Sequence, residues 1–205
     1  MYVTYLLLAI TILISVKAMD DMTLKGKLMM NPYDVIHNKK WYRCFSHAFI
    51  HADFTHLGFN MFVLYGFGIG LEDFLTLRYG VQGYIMFTVL YLMGILFATL
   101  LSLKNHKDNP GYNALGASGA VMAVLFAFVI VMPDTRLNLI FLPIPGGVPA
   151  YIFGPIILLI EFVMSKRGKS NIGHDAHFAG AIFGILFITA IDYNYLLNFF
   201  KHFVS

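Results

Sequence analysis

Six apolar stretches, near residues 2–19, 56–74, 80–103, 114–132, 150–164 and 177–200, alternate along the chain with short polar breaks. About 20 apolar residues in a helix cross a hydrocarbon core about 30 Å thick, and all but the short fifth stretch approach that length. The pattern predicts an all-α integral membrane protein with six spans, and too little chain lies between them for a second soluble domain. A single membrane domain over residues 1–205 is expected. No Lys or Arg precedes the first stretch and no small-residue cleavage pattern follows Val16, so it reads as a retained helix rather than a secretory signal.

The longest polar segment, about 20–55, carries Asp20, Asp21, Lys25, Lys27, Asp34, Lys39, Lys40 and Arg43 together with the run WYRCFSHAFIHADF. Aromatic rings mixed with cations and histidines suit the headgroup zone, so this first loop is expected to lie on the membrane, partly helical. Gly66, Gly68 and Gly70 at the end of the second span, and Gly180 and Gly184 in the sixth, are small residues of the kind that let helix backbones approach. Pro143, Pro145, Gly146, Gly147 and Pro149 break the chain before the fifth span, which ends at Lys166, Arg167 and Lys169. A short helix with a loop behind it has the makings of a gate, and equally of an ordinary connector.

Composition agrees with the pattern: 59% of residues are hydrophobic, 12% are charged, and the mean hydropathy is +0.72. The single cysteine, Cys44, excludes an internal disulfide framework and a cysteine-based zinc site, and reads as a small buried or interfacial residue. A formal charge of +3 with no basic patch between exposed aromatics gives no footprint for nucleic acid. The expected partners are the lipid bilayer and other membrane proteins. Oligomeric state is not encoded in any pattern here.

Polar groups inside a bilayer are costly, about 2.5–3.5 kcal/mol for a charge at mid-helix on insertion scales, and are functional candidates by default. Three places qualify. His56 and Asn60 sit four apart, on one face of the second span; Gly116, Ala117, Ser118 and Gly119 open the fourth; His177 lies just inside the sixth. Each has an ordinary explanation as a helix contact or cap. Together they suit acyl transfer: a serine hydroxyl is a weak nucleophile until a base removes its proton, and imidazole, with a reference pKa of about 6.5, performs that task. Ser118 would attack and His177 would take the proton. His56, Asn60 and the backbone N–H of Ser118 would supply donors to the oxyanion.

In this pattern the chain resembles the rhomboid family of intramembrane serine proteases. Trp41, Tyr42 and Arg43, followed by His51, are similar to the family's first-loop motif. His56 and Asn60 match its H-x-x-x-N element, Gly116, Ser118 and Gly119 its G-x-S-G, and Ala176, His177, Gly180 and Gly184 its A-H-x-x-G-x-x-x-G. The resemblance implies a six-helix rhomboid-like bundle with a Ser118–His177 dyad in a wet cavity below the membrane surface. It also implies a short fourth helix reached by a dipping loop, here Lys104 to Ala114, and no cofactor or metal. His51 would shape the cavity wall. Substrates would be membrane segments of other proteins, unwound before cleavage and admitted sideways between the second and fifth helices. Many relatives place a bulky aromatic one turn after the serine; Met122 stands there, a thioether that gives the histidine less rigid support.

The bacterial members imply a bacterial inner membrane with the active site on the outer side. Yet 11 of the 14 Lys and Arg fall in the odd loops that this orientation places outside, against the positive-inside expectation. Asp175 stands two residues before His177, on nearly the opposite side of a helix, and receives no orienting role; His174 and His51 receive no proton-transfer role. Rival readings are an inactive rhomboid-like protein that binds or escorts membrane proteins, a small transporter or channel, and a metal site on His51, His56 and His177. The transporter is disfavoured because no paired intramembrane carboxylate and no second matching half are seen.

Overall fold

The computed structural model describes residues 2–138, 144–167 and 173–204. Helix α1 (Tyr2–Asp20) is followed by a first loop holding three short helices, α2 (Met22–Leu28), α3 (Pro32–His37) and α4 (Arg43–Ser46), and a 3-10 turn at His47–Phe49. Then come α5 (Phe54–Tyr79), α6 (Val81–His106), α7 (Ser118–Val131), a ribbon of β1 (Arg136–Leu137) and β2 (Val148–Pro149), α8 (Ala150–Arg167), α9 (His174–Ile191) and α10 (Tyr193–Lys201). A helix stands at each of the six predicted stretches. Four of them, α1, α5, α6 and α9, are long and apolar enough to cross a membrane. The all-α membrane bundle is therefore present.

Helix α7 is the core. Every residue from Gly119 to Ile130 is buried, walled by α5, α6 and α9. Its 14 residues extend about 21 Å at 1.5 Å per residue, less than the roughly 30 Å of a hydrocarbon core.

Buried acids and hydroxyls pin α1 to this core. Glu72 of α5, itself buried, accepts the N–H groups of Val3 at 3.0 Å and Thr4 at 2.8 Å and the Thr4 hydroxyl at 2.6 Å. Three first-turn donors that have no partner within α1 are thereby satisfied, two of them backbone groups.

The first loop is partly helical, as expected, because its helices carry their own caps. Asp21 accepts from Thr23 and Leu24 N–H, and Asn31 accepts from Asp34 N–H with Pro32 as the first helical residue. Arg43 is buried and gathers the loop: its Nη1 donates to the carbonyls of Gly26 at 3.0 Å and Met29 at 2.6 Å, while Nη2 pairs with Asp34 at 3.2 Å. Trp41 and Tyr42 remain about half exposed, as headgroup-zone rings would.

Three expectations need correction. The apolar stretch 177–200 is not one helix: α9 ends at Ile191, Asp192 adopts an extended φ of −152°, and its carboxylate accepts the Asn194 N–H at 2.9 Å to start amphipathic α10. The dipping loop begins later, since α6 runs to His106 and the irregular segment is 107–117. Gly66 does not mediate a close approach; a side chain there would meet nothing within 4 Å, whereas Gly68 abuts Thr4 and Gly70 abuts Phe128. The carboxylates within the spans, Glu72 and Glu161, are each engaged with groups on another helix. The β1–β2 ribbon pairs Arg136 with Pro149 and Leu137 with Val148 just before α8, while Pro143 and Lys169 lie outside the described residues.

Candidate active site

The approach to Ser118 is built by the first loop. Met30 and Ala114 exchange two backbone hydrogen bonds at 2.9 Å, and Asn31 Nδ2 donates to the carbonyls of Pro110 at 3.0 Å and Tyr112 at 3.1 Å. Further in, the Gly116 N–H donates to the His47 carbonyl at 2.9 Å, and the Ala117 N–H donates to His51 Nε2 at 3.3 Å. Gly116 has a φ of 117°, where a side chain would be strained, and a Cβ there would lie 2.7 Å from the His56 ring. The chain therefore turns tightly into α7 with His56 against the turn.

His51 is a fully buried relay in this wall. Ser15 Oγ donates to the Phe49 carbonyl at 3.0 Å and lies 2.8 Å from His51 Nδ1. With its one proton so used, the hydroxyl accepts from Nδ1–H, which leaves Nε2 bare to accept Ala117 N–H. One neutral tautomer satisfies the chain of bonds. Burial, and next the neighbouring His56, hold the His51 pKa down to about 3; burial likewise holds His47 at about 4.

Ser118 is the first residue of α7 and is half-buried. No side chain caps this helix, and among the described residues the N–H groups of Ser118, Gly119 and Ala120 meet no acceptor. Unpaired donors at a helix N-terminus, with the helix dipole behind them, favour negative charge. Asn60 is buried one turn after His56 and gives one amide hydrogen to the His56 carbonyl at 2.9 Å, which leaves its second N–H for another acceptor.

Helix α9 meets α7 through glycine. A Cβ on Gly180 would collide with the Gly119 carbonyl, and one on Gly184 with the Ala123 carbonyl. These two contacts, one helical turn apart on each helix, fix the register. Ser118 stands beside Gly119 and His177 stands one turn before Gly180, so both lie at the same end of the α7–α9 contact. Met122 is buried one turn below the serine. Arg43 works at a distance, through the first loop.

Among the described residues Ser118 Oγ makes no hydrogen bond, to His177 or to any other group; such bonds commonly tighten only with substrate in place. His177 Nδ1 instead lies 3.2 Å from Glu161 Oε1, and Oε2 of the same carboxylate lies 2.6 Å from His174 Nδ1. Glu161 has no place in the sequence reading, and His174 was given no role there, although a lone carboxylate in YIFGPIILLIEFVMS carries the signal expected of a functional intramembrane group. Asp175 takes no part, lining with Lys166, Asn105 and Phe178 a separate cavity of about 290 Å³.

Glu161, His174 and His177 place donor atoms all within 4.8 Å of one another, a His₂Glu set of the type zinc accepts. The three-histidine alternative is not assembled, because hydrogen bonds occupy both ring nitrogens of His51.

Comparison with known proteins places the chain in a family. The family model described as the Rhomboid domain matches residues 38–193. The chain is similar to the mitochondrial presenilin-associated rhomboid-like protein of Bos taurus, 33% identical over 143 residues, covering 69% of this chain and 36% of that one. It is similar also to the mitochondrial Rhomboid protein 1 of Saccharomyces cerevisiae, 30% identical over 146 residues, 68% of this chain and 39% of that one. The mitochondrial RHOMBOID-like protein 12 of Arabidopsis thaliana is 33% identical over 143 residues, 65% of this chain and 41% of that one. The chain thus spans about two fifths of the length of these relatives. Their mitochondrial names overturn the expectation of a bacterial plasma membrane, with the outward-facing site that went with it. With the Rhomboid domain model matched from residue 38 to 193, over three quarters of its length, the chain belongs to the rhomboid family.

Proposed function

We propose that the protein is an intramembrane serine protease that cleaves peptide bonds in or beside membrane segments of other proteins, in a mitochondrial membrane. Ser118 is the nucleophile and His177 the general base and then acid. The oxyanion is received by the Ser118 N–H, His56 and Asn60. The observation that carries this reading is the α7 N-terminus: a half-buried hydroxyl beside unpaired N–H groups, at the level of His177 across the Gly119–Gly180 contact.

The chemistry follows from these parts. His177 Nε2 takes the Ser118 proton as Oγ attacks the scissile carbonyl, the oxyanion meets donors already oriented, and the proton passes to the leaving amine. Water then releases the acyl group by the same route reversed. A substrate helix holds its carbonyls in its own ladder, so it must unwind locally before one can reach Ser118. The mitochondrial setting is carried over from the relatives' names.

One observation favours a second reading, a family member that binds membrane proteins without cutting them: Ser118 and His177 are not hydrogen-bonded. Cleavage of a transmembrane peptide in proteoliposomes decides between the two. Wild type should cleave, and Ser118→Ala and His177→Ala should each lose at least about 10³-fold. Cleavage that survives Ser118→Ala would rule out the serine mechanism.

A further inference from the structure

Glu161 is a carboxylate on α8 with side-chain exposure of only 13%, facing two imidazoles on α9. Its oxygens divide between them, Oε1 to His177 Nδ1 at 3.2 Å and Oε2 to His174 Nδ1 at 2.6 Å. An ionised carboxylate only accepts hydrogen bonds, so each of these contacts requires a hydrogen on Nδ1. For neutral His177 that assignment leaves Nε2 as the bare nitrogen.

We infer that Glu161 is a positioning residue for His177, holding its imidazole in the Nδ1–H tautomer with Nε2 turned to receive the Ser118 proton, so that the dyad works as a Ser118–His177–Glu161 set. The inference rests on the proposed protease function. During the reaction the proton moves from Ser118 Oγ to His177 Nε2 and then to the leaving amine. Glu161 stays ionised throughout and stabilises the transient imidazolium, the role a carboxylate plays behind a catalytic histidine. His174 occupies the second oxygen and limits rotation of the carboxylate. Its Nε2 is buried without a partner among the described residues.

The carboxylate comes from a different helix than the histidine it orients. Of the residues on α8, Ile152, Ile156, Leu159, Ile160, Phe162 and Val163 are exposed on the outside of the bundle. Glu161 is thus an inward polar contact on a mostly outward helix.

The test uses the full chain in proteoliposomes with a cleavable transmembrane peptide. Glu161→Gln should lower kcat by at least about tenfold while KM changes less than about twofold, and His174→Ala should fall between it and wild type. Unchanged kcat in a folded Glu161→Gln variant, with Ser118→Ala inactive, would overturn the inference and leave the protease reading standing. A variant faster than wild type would also overturn it, making the pair an inhibitory latch, as would wild-type activity lost to a chelator and restored by zinc. A wild type that does not cleave would remove both readings. Should Glu161→Gln fail to fold, ¹⁵N-histidine NMR of wild type reads the tautomer directly: a protonated Nδ1 on neutral His177 is expected, and a protonated Nε2 overturns the assignment.

Discussion

His51 gives the site its rigidity without touching the reaction. Its ring joins Ser15 on α1 to the Ala117 N–H at the mouth of α7, and the tautomer that does this is neutral. Its folded pKa of about 3 lies below the ordinary imidazole value of about 6.5, so between those values the unfolded chain binds the extra proton and stability rises with pH. Stability from this group is fully present above about pH 6.5 and drains away as pH falls toward 3; His47, at about 4, acts in the same sense. Thermal unfolding in detergent should therefore show wild type losing stability from pH 7.5 to pH 5. His51→Ala should be less stable at pH 7.5 by about 1–3 kcal/mol, from the orphaned Ala117 N–H, and less sensitive to acid. An equally steep acid loss in the variant would contradict the neutral relay. At this scale Ser118, His177, His56 and Asn60 can be picked out as candidates because hydroxyl, imidazole and amide groups stand out in apolar sequence. Glu161 stood out equally and was passed over. Its partner lies 16 residues away on another helix, a pairing that spacing within one helix cannot reveal.

Elements fixed by a glycine contact behave differently from elements fixed by apolar length. The α7–α9 register depends on Gly180 and Gly184 lying against backbone carbonyls, so Gly180→Ala must push α9 outward. A loss of about 1–3 kcal/mol is expected from such overpacking, with proteolysis falling further than stability because Ser118 and His177 separate. Gly66→Ala, with nothing within 4 Å, should stay within about 0.5 kcal/mol of wild type and keep full activity. Comparable melting shifts for the two variants would refute the register argument. Hydropathy located the helices but not their ends. It merged α9 with α10 because Ile191 and Leu196 are both apolar, and the break depends on the local cap made by Asp192. The same limit placed the dipping loop a few residues early.

For the whole molecule, the polar first loop is a clamp rather than a tether. Arg43 ties α2 to α3, Asn31 and Met30 hold residues 110–114, and His47 and His51 hold Gly116 and Ala117. Membrane class and helix order could be read from hydropathy alone, whereas this clamp could not, since its bonds join backbone groups that composition does not mark. The clamp, the short α7 and the α9 contact converge on one hydroxyl, and reaction of that hydroxyl with a fluorophosphonate probe in a mild detergent is the most direct measurement. The adduct should form on Ser118 in wild type, located by mass spectrometry, and disappear in Ser118→Ala and in folded His177→Ala. An unlabelled, well-folded wild type, under conditions that label an active rhomboid protease, would show that Ser118 is not an activated nucleophile.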